Sequence, residues 1–175
     1  MSNAPIADQK VSVMLAGPGH ETVFYQMQPP FLSDSRFVIS ANATQWTAFE
    51  QSLVQMRPDL VVVQVEIAPG PEALVQVLAE IQVWHGVAIL VLPPSIRDVR
   101  GIFEKAAVVR GVYIAPVNWG EIAQSGYAAV MTERARAAAT APLQQAYLSR
   151  SSSAIVGTRV VAFISATGGT GRSTL

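Results

Sequence analysis

At 175 residues the chain is long enough for one ordinary α/β domain plus a remnant of a second, and too short for two complete ones. Half of its residues are hydrophobic and 14% are charged, which excludes a mainly disordered chain and suits strands covered on both faces. Twelve basic residues offset twelve acidic ones and cysteine is absent, so no net field directs the chain to nucleic acid and neither a disulfide nor a thiolate metal site can form.

Residues 1 to 10 are polar without period and are expected to be a flexible lead-in, with no apolar signal segment. From Val11, β-branched runs alternate with amphipathic segments: VSVMLAG, RFVISANA, LVVVQVEI, VAILVLP and GVYIAPV. That alternation predicts five strand-helix units and a doubly wound, five-stranded parallel sheet. The helix after the first strand is interrupted by Pro29 and Pro30. Asn42 with Gln45 is read as the start of the second helix, placing Trp46, Phe49, Leu53 and Met56 on its inner face. Gly70 and Pro71 open the third, with Leu74, Leu78 and Ile81 inward and Gly86 as its stop. Ser95 with Asp98 is read as the start of a helix presenting Val99, Phe103 and Ala106. Asn118 with Glu121 opens the last, whose buried stripe is Ile122, Tyr127, Val130 and Met131.

The domain so delimited covers 11–139. Residues 140–157, ending in SRSSSAIVG, read as a helical tail passing into a linker, and a further strand with a glycine-rich loop, TRVVAFISATGGTGRSTL, occupies 158–175. The longest apolar runs fall far short of a membrane span, so a cytoplasmic protein without an integral membrane segment is expected.

The run PDLVVVQVEIAPG, together with the Ala115-Pro116 pair and the order of elements, resembles the receiver domains of response regulators. The resemblance implies the flavodoxin-like receiver fold with strand order 2-1-3-4-5. It places the phosphoacceptor position on Gln64, whose carboxamide is a far poorer nucleophile than a carboxylate and forms no acyl phosphate. The acidic pair that holds Mg²⁺ in receivers falls on Leu15 to Gly19, where no side chain is a ligand for a hard cation. The hydroxyl position of strand four falls near Pro93 and the lysine position on Ala115. Glu66, a carboxylate near the end of strand three, reads as a solvated strand-end residue, because nothing beside it would activate phosphoryl transfer. A receiver scaffold with no catalytic residue and no metal ligands is expected.

Residues 158–175 resemble the opening of ParA/MinD-type ATPases, whose deviant phosphate loop follows the first strand. The resemblance implies a phosphate cradle from Gly168, Gly169 and Gly171, charge from Arg172, and a magnesium-binding hydroxyl at Ser173 followed by Thr174. The signature lysine is Thr167 here and the loop lysine is Arg172, whose planar fork differs from a compact ammonium. An isolated strand and loop should not bind ATP, so ATP and Mg²⁺ are expected only in a longer protein. A receiver-like domain followed by such an ATPase resembles the CpaE/TadZ-type pilus-assembly proteins. That implies a localisation and protein-interaction role, with partners in pilus or type II/IV secretion machinery, homodimers, and recruitment to the inner membrane or cell pole.

His20 and His85 are far apart and lack metal-ligand spacing, Trp46, Trp84 and Trp119 read as packing residues, and Arg134 and Arg136 as a solvated helix end. The expectation is a regulatory interaction module that is not an enzyme. A nucleotide switch in the longer protein is the alternative, and an active receiver the third reading.

Overall fold

The computed structural model describes residues 10–152. Five strands, β1 (Val11–Ala16), β2 (Phe37–Ala43), β3 (Leu60–Gln64), β4 (Val87–Leu92) and β5 (Val109–Ile114), form one sheet in the order β2-β1-β3-β4-β5. Every neighbouring pair is parallel. This is the expected doubly wound sheet in the expected order. All residues of β3 and β4 are buried, whereas most residues of the edge strands β2 and β5 are half-buried or exposed. Central parallel strands are covered on both faces and therefore read as unbroken apolar runs.

Alternate side chains build two cores. Val61, Val63, Ala88 and Leu90 join Phe49 and Leu53 of α2 (Trp46–Met56) and Leu74, Val77, Leu78 and Ile81 of α3 (Pro71–Val83). Leu60, Val62, Val87 and Ile89 join Val23, Met27 and Phe31 on one side and Ile122, Ala123 and Val130 of α5 (Trp119–Ser152) on the other. Each Val, Leu, Ile, Phe or Met side chain among them contributes about 1.5–3 kcal/mol by leaving water. Gly126 lets α5 close on the sheet, since a Cβ there would stand 2.6 Å from Leu60 Cδ2. The chain divides into two units, residues 1–137 and 138–175, and the sheet belongs wholly to the first.

Several local expectations are corrected. Pro29 and Pro30 do not end the first helix. They cannot donate to the carbonyls of Tyr25 and Gln26, and the chain widens into a π-helical turn over Thr22–Met27, with the Gln28 N–H on Val23 O, before α1 (Gln28–Ser33) continues. Asn42 stays in β2 and caps nothing; α2 begins after Gln45 without a side-chain cap, and Met56 is exposed. The run read as a strand to Ile67 ends at Gln64 and turns through a 3-10 segment, Val65–Ile67. Gly86 is not the left-handed residue that stops α3: His85 is, at φ 62°. The His85 N–H reaches Gln82 O and the Gly86 N–H reaches Ile81 O, the paired bonds of a Schellman ending. Gly86 is needed for space instead, because a Cβ there would lie 2.6 Å from Trp84 Nε1 and 2.9 Å from Ile81 Cγ2.

Ser95 and Asp98 do not open a regular helix either. A 3-10 stretch, Pro94–Val99, is broken by non-helical Ile96, and only four residues of α-helix follow in α4 (Arg100–Phe103). The Asn118 start is formed as expected: its Oδ1 accepts from the N–H groups of Gly120 at 3.0 Å and Glu121 at 3.4 Å, and its amide donates to Glu121 Oε1 at 3.3 Å.

Candidate functional site

In open α/β sheets ligands gather at the carboxyl ends of the strands, where loops diverge. Here those ends bring Gly17, Gln64, Pro93 and Ala115 to one edge of the sheet. Gln64 is the last residue of β3 and is 8% exposed. It follows Val62 on the face of β3 that looks toward Val23 and Met27, so its side chain turns to the loop after β1.

A Cβ placed on Gly17 would stand 2.9 Å from Gln64 Oε1, 3.0 Å from Met27 Sδ and 3.4 Å from Val23 Cγ2. The backbone of Gly17 is not left-handed, so what favours glycine there is the close approach of Gln64 Oε1 and Met27 Sδ. The Gln64 carboxamide thus fills ground that a side chain in the β1 loop would otherwise take. Met27 and Val23 complete the contact, and nothing in the hydrophobic periodicity distinguishes them from ordinary core residues.

Gln64 Oε1 is buried and accepts no hydrogen bond, as is Asn42 Oδ1 near the end of β2. The donor set does not fit a divalent cation: Gln64 offers a neutral amide oxygen, and Gly17, Pro18 and Gly19 offer no side-chain oxygen. Among the described residues no three of His, Cys, Asp or Glu converge in a way that would hold a metal. At the end of β5 the Ala115 N–H bonds Leu92 O at 2.8 Å, and the Ala115-Pro116 peptide is cis. A methyl group there can supply no charge to a phosphoryl oxygen. Glu66 sits in the 3-10 turn, exposed, and lines a separate cavity toward α3.

After Gly19, which has φ 80°, the imidazole of His20 stacks on Phe24 at 4.2 Å and meets Tyr25 edge-on at 6.0 Å. The π-helical turn brings these rings together, so His20 is a stacking partner. Trp119 is partly buried against the core that Ile122 shares, which answers the expectation of a packing residue.

The opposite end of the sheet is built differently. Asp59 Oδ2 accepts from the Ser12 N–H at 2.8 Å, the Ser12 hydroxyl at 2.7 Å and Arg134 Nη2 at 3.0 Å, and the Asp59 N–H returns to Ser12 Oγ at 2.9 Å. Arg134 is therefore a tie across this end and not a solvated tail charge. Trp84 Nε1 donates to Pro58 O at 3.0 Å. Asp34 takes a forked contact from Arg36, at 2.9 Å to Oδ1 and 2.6 Å to Oδ2, and this hydrogen bonding holds its carboxyl below the usual range and raises the Arg36 guanidinium. Arg36 also lies 4.3 Å over the ring of Tyr127.

The phosphate-loop residues Gly168, Gly169, Gly171, Arg172, Ser173 and Thr174, and Thr167 before them, lie outside the described residues. No known protein-family profile matches the chain, and no curated protein does. Among solved structures the likeness is to receiver domains. The signal receiver domain of a LuxO repressor protein from Vibrio parahaemolyticus superposes with a TM-score of 0.61 at 12% identity, over 74% of this chain and 97% of that one. The receiver domain of the response regulator AraT from Geobacillus stearothermophilus gives 0.60 at 8% identity, over 72% and 97%. That of RcsB from Salmonella enterica serovar Typhimurium, solved with the phosphomimetic BeF3-, gives 0.55 at 10%, over 66% and 85%. The chain shares the receiver fold.

Proposed function

We propose that residues 11–139 form a regulatory receiver-like module that no longer captures a phosphoryl group and acts through contacts with other proteins. One observation carries this reading: the strand-end position that faces the β1 loop holds a buried carboxamide packed on Gly17, with no carboxylate beside it. A phosphoryl acceptor in this fold needs an anionic oxygen as nucleophile and a cation to gather the charge of the transferring group. Gln64 supplies neither, and Ala115 cannot replace the cationic partner.

The resemblance of residues 158–175 to the deviant phosphate loop supports placing the module in a ParA/MinD-type protein of the CpaE/TadZ kind. Its contacts would then serve pilus assembly or secretion in the cytoplasm, or at the inner membrane through partners. Among the described residues no helix is long and apolar enough to cross a membrane. A nucleotide switch is the second reading, favoured by the run ATGGTGRST, with ATP held by Gly168, Gly169, Gly171 and Arg172 once the domain is complete.

The test is to treat the chain with acetyl phosphate, and separately with beryllofluoride, each with Mg²⁺, and to follow intact mass and backbone amide shifts. No phosphoryl adduct and no saturable shift near Gln64 are expected. An adduct, or a Mg²⁺-dependent shift at Gln64 or Glu66, refutes the proposal.

A further inference from the structure

The sheet ends in two edge strands, and they are guarded differently. A strand edge offers a row of backbone N–H and C=O groups ready to pair with another strand, and folds blunt it with charge, proline and bulges. β5 has such a guard: its bulge residue is Arg110, which is exposed and paired with Glu133 of α5. β2 carries no charged residue and no proline over its seven residues. It too has a bulge, at Ser40, but the Ser40 hydroxyl donates to Val13 O at 3.1 Å and stitches that residue back into the sheet.

The surroundings of β2 are apolar as well. Phe37 and Ile39 pack into the core shared with α1 and α5, so strand alternation turns Val38 to the α2 side, where it is 48% exposed. The helices α1 and α2 pack on β2 from opposite faces. Among the described residues seven large hydrophobic side chains are exposed, and five of them belong to these three elements or to the turn leading into α1: Tyr25, Leu32, Val38, Val54 and Met56. Apolar side chains concentrated beside an open edge mark a contact surface. Charge then selects the occupant. Between Tyr25 and Arg57 the acidic residues are Asp34 and Glu50 and the basic ones Arg36 and Arg57, so the stretch sums to zero, and Asp34 and Arg36 already form a pair. A strongly acidic or basic partner finds no complement here, whereas a copy of the same neutral surface meets no net repulsion.

We infer that the β2 edge is an interface between two copies of this chain, joined by antiparallel pairing of β2 with β2 of the second copy about a two-fold axis normal to the sheet. The arrangement is self-complementary, since each edge supplies donors and acceptors to the other, and it merges two five-stranded sheets into one. On either face α1 and α2 of the two copies flank the seam and shield its apolar side chains from water. The inference stands apart from the reading of Gln64, because strand pairing needs no phosphoryl chemistry.

The full chain is followed by sedimentation velocity over a dilution series and by amide hydrogen exchange at high and low concentration. The expected result is a dimer that dissociates on dilution, with the amides of Phe37–Ala43 exchanging more slowly when concentrated and those of β5 unchanged. Val38→Lys sets a charge at the seam in both copies and should weaken the dimer about tenfold or more, while Val83→Lys, the same change at an exposed position of α3, should leave it intact. Should Val38→Lys fold poorly, the exchange measurement on the unaltered chain still decides. The inference is overturned by a monomer at every concentration up to millimolar, which would leave the edge to a strand of another protein, by a dimer in which Phe37–Ala43 exchange no more slowly, by equal weakening in the two lysine variants, or by no weakening in Val38→Lys.

Discussion

At the amino-terminal end of the sheet Ser12, Asp59 and Arg134 form a closed set of hydrogen bonds, whereas at the carboxyl-terminal end Gln64 and Asn42 each keep a buried oxygen without a partner. The two ends use their polar side chains differently. At the first, the half-buried Asp59 carboxylate, just before β3, takes donors from β1 and α5, so it ties the three elements together. At the second, an orphaned acceptor costs about 1–3 kcal/mol, and a fold under pressure for stability alone would replace it. This is also the end where open α/β sheets place their chemistry. Gln64 closes β3 at that end, with its amide packed on Gly17 and its oxygen without a donor.

Removing the amino-terminal tie should have the largest effect. Asp59→Ala deprives the Ser12 N–H, the Ser12 hydroxyl and Arg134 of their common acceptor, and should lower unfolding free energy by about 2–3 kcal/mol in urea titrations. A loss no larger than that of an ordinary surface substitution would mean that the two ends do not differ as described.

The carboxyl-terminal end is sharpened by a cycle. Gly17→Val forces a side chain against Gln64 Oε1 and Met27 Sδ, and should destabilise by about 1–3 kcal/mol through overpacking. Gln64→Ala should recover much of that loss in the double variant, because shortening residue 64 removes the obstacle and the orphaned oxygen together. Strict additivity would show that the amide does not pack on Gly17.

The smallest effect belongs to Asp34. Its folded pKa is depressed, chiefly by the Arg36 hydrogen bond, so its contribution is fully present above the unfolded carboxylate value of about 3.9 and disappears as pH falls through the lower folded value. The melting temperatures of the protein and of Asp34→Asn should differ slightly at pH 6, by less than about 1 kcal/mol in stability, and converge in acid. A gap that widens below pH 4 would reverse the assigned direction.

Much of the architecture was legible because parallel strands buried on both faces leave unbroken apolar runs that local sequence cannot hide. The runs at Leu60 and Val87 and the inner face of α3 are direct records of burial. The identity of residue 64 was equally legible, since a carboxamide is not a nucleophilic carboxylate in any setting. Less could be read where two local signals compete. Asn42 and Gln45 satisfy a capping pattern, but pairing of β2 with β1 extends through Ala43 and takes Asn42 into the sheet. His85 rather than Gly86 adopts the left-handed turn, while Gly86 is held by the crowding of Trp84, Ile81 and Pro58, and neither fact is written in the local pattern.

By itself the sequence determined the alternation of strand and helix, the two-sided covering of the sheet and the absence of a carboxylate at position 64, since these follow from residue type and short-range period. Only the tertiary structure decided that the Gln64 amide rests on Gly17 and that Asp59 gathers Ser12 and Arg134. Those features join residues distant along the chain, and contact across such separations depends on how layers pack, which no local pattern encodes.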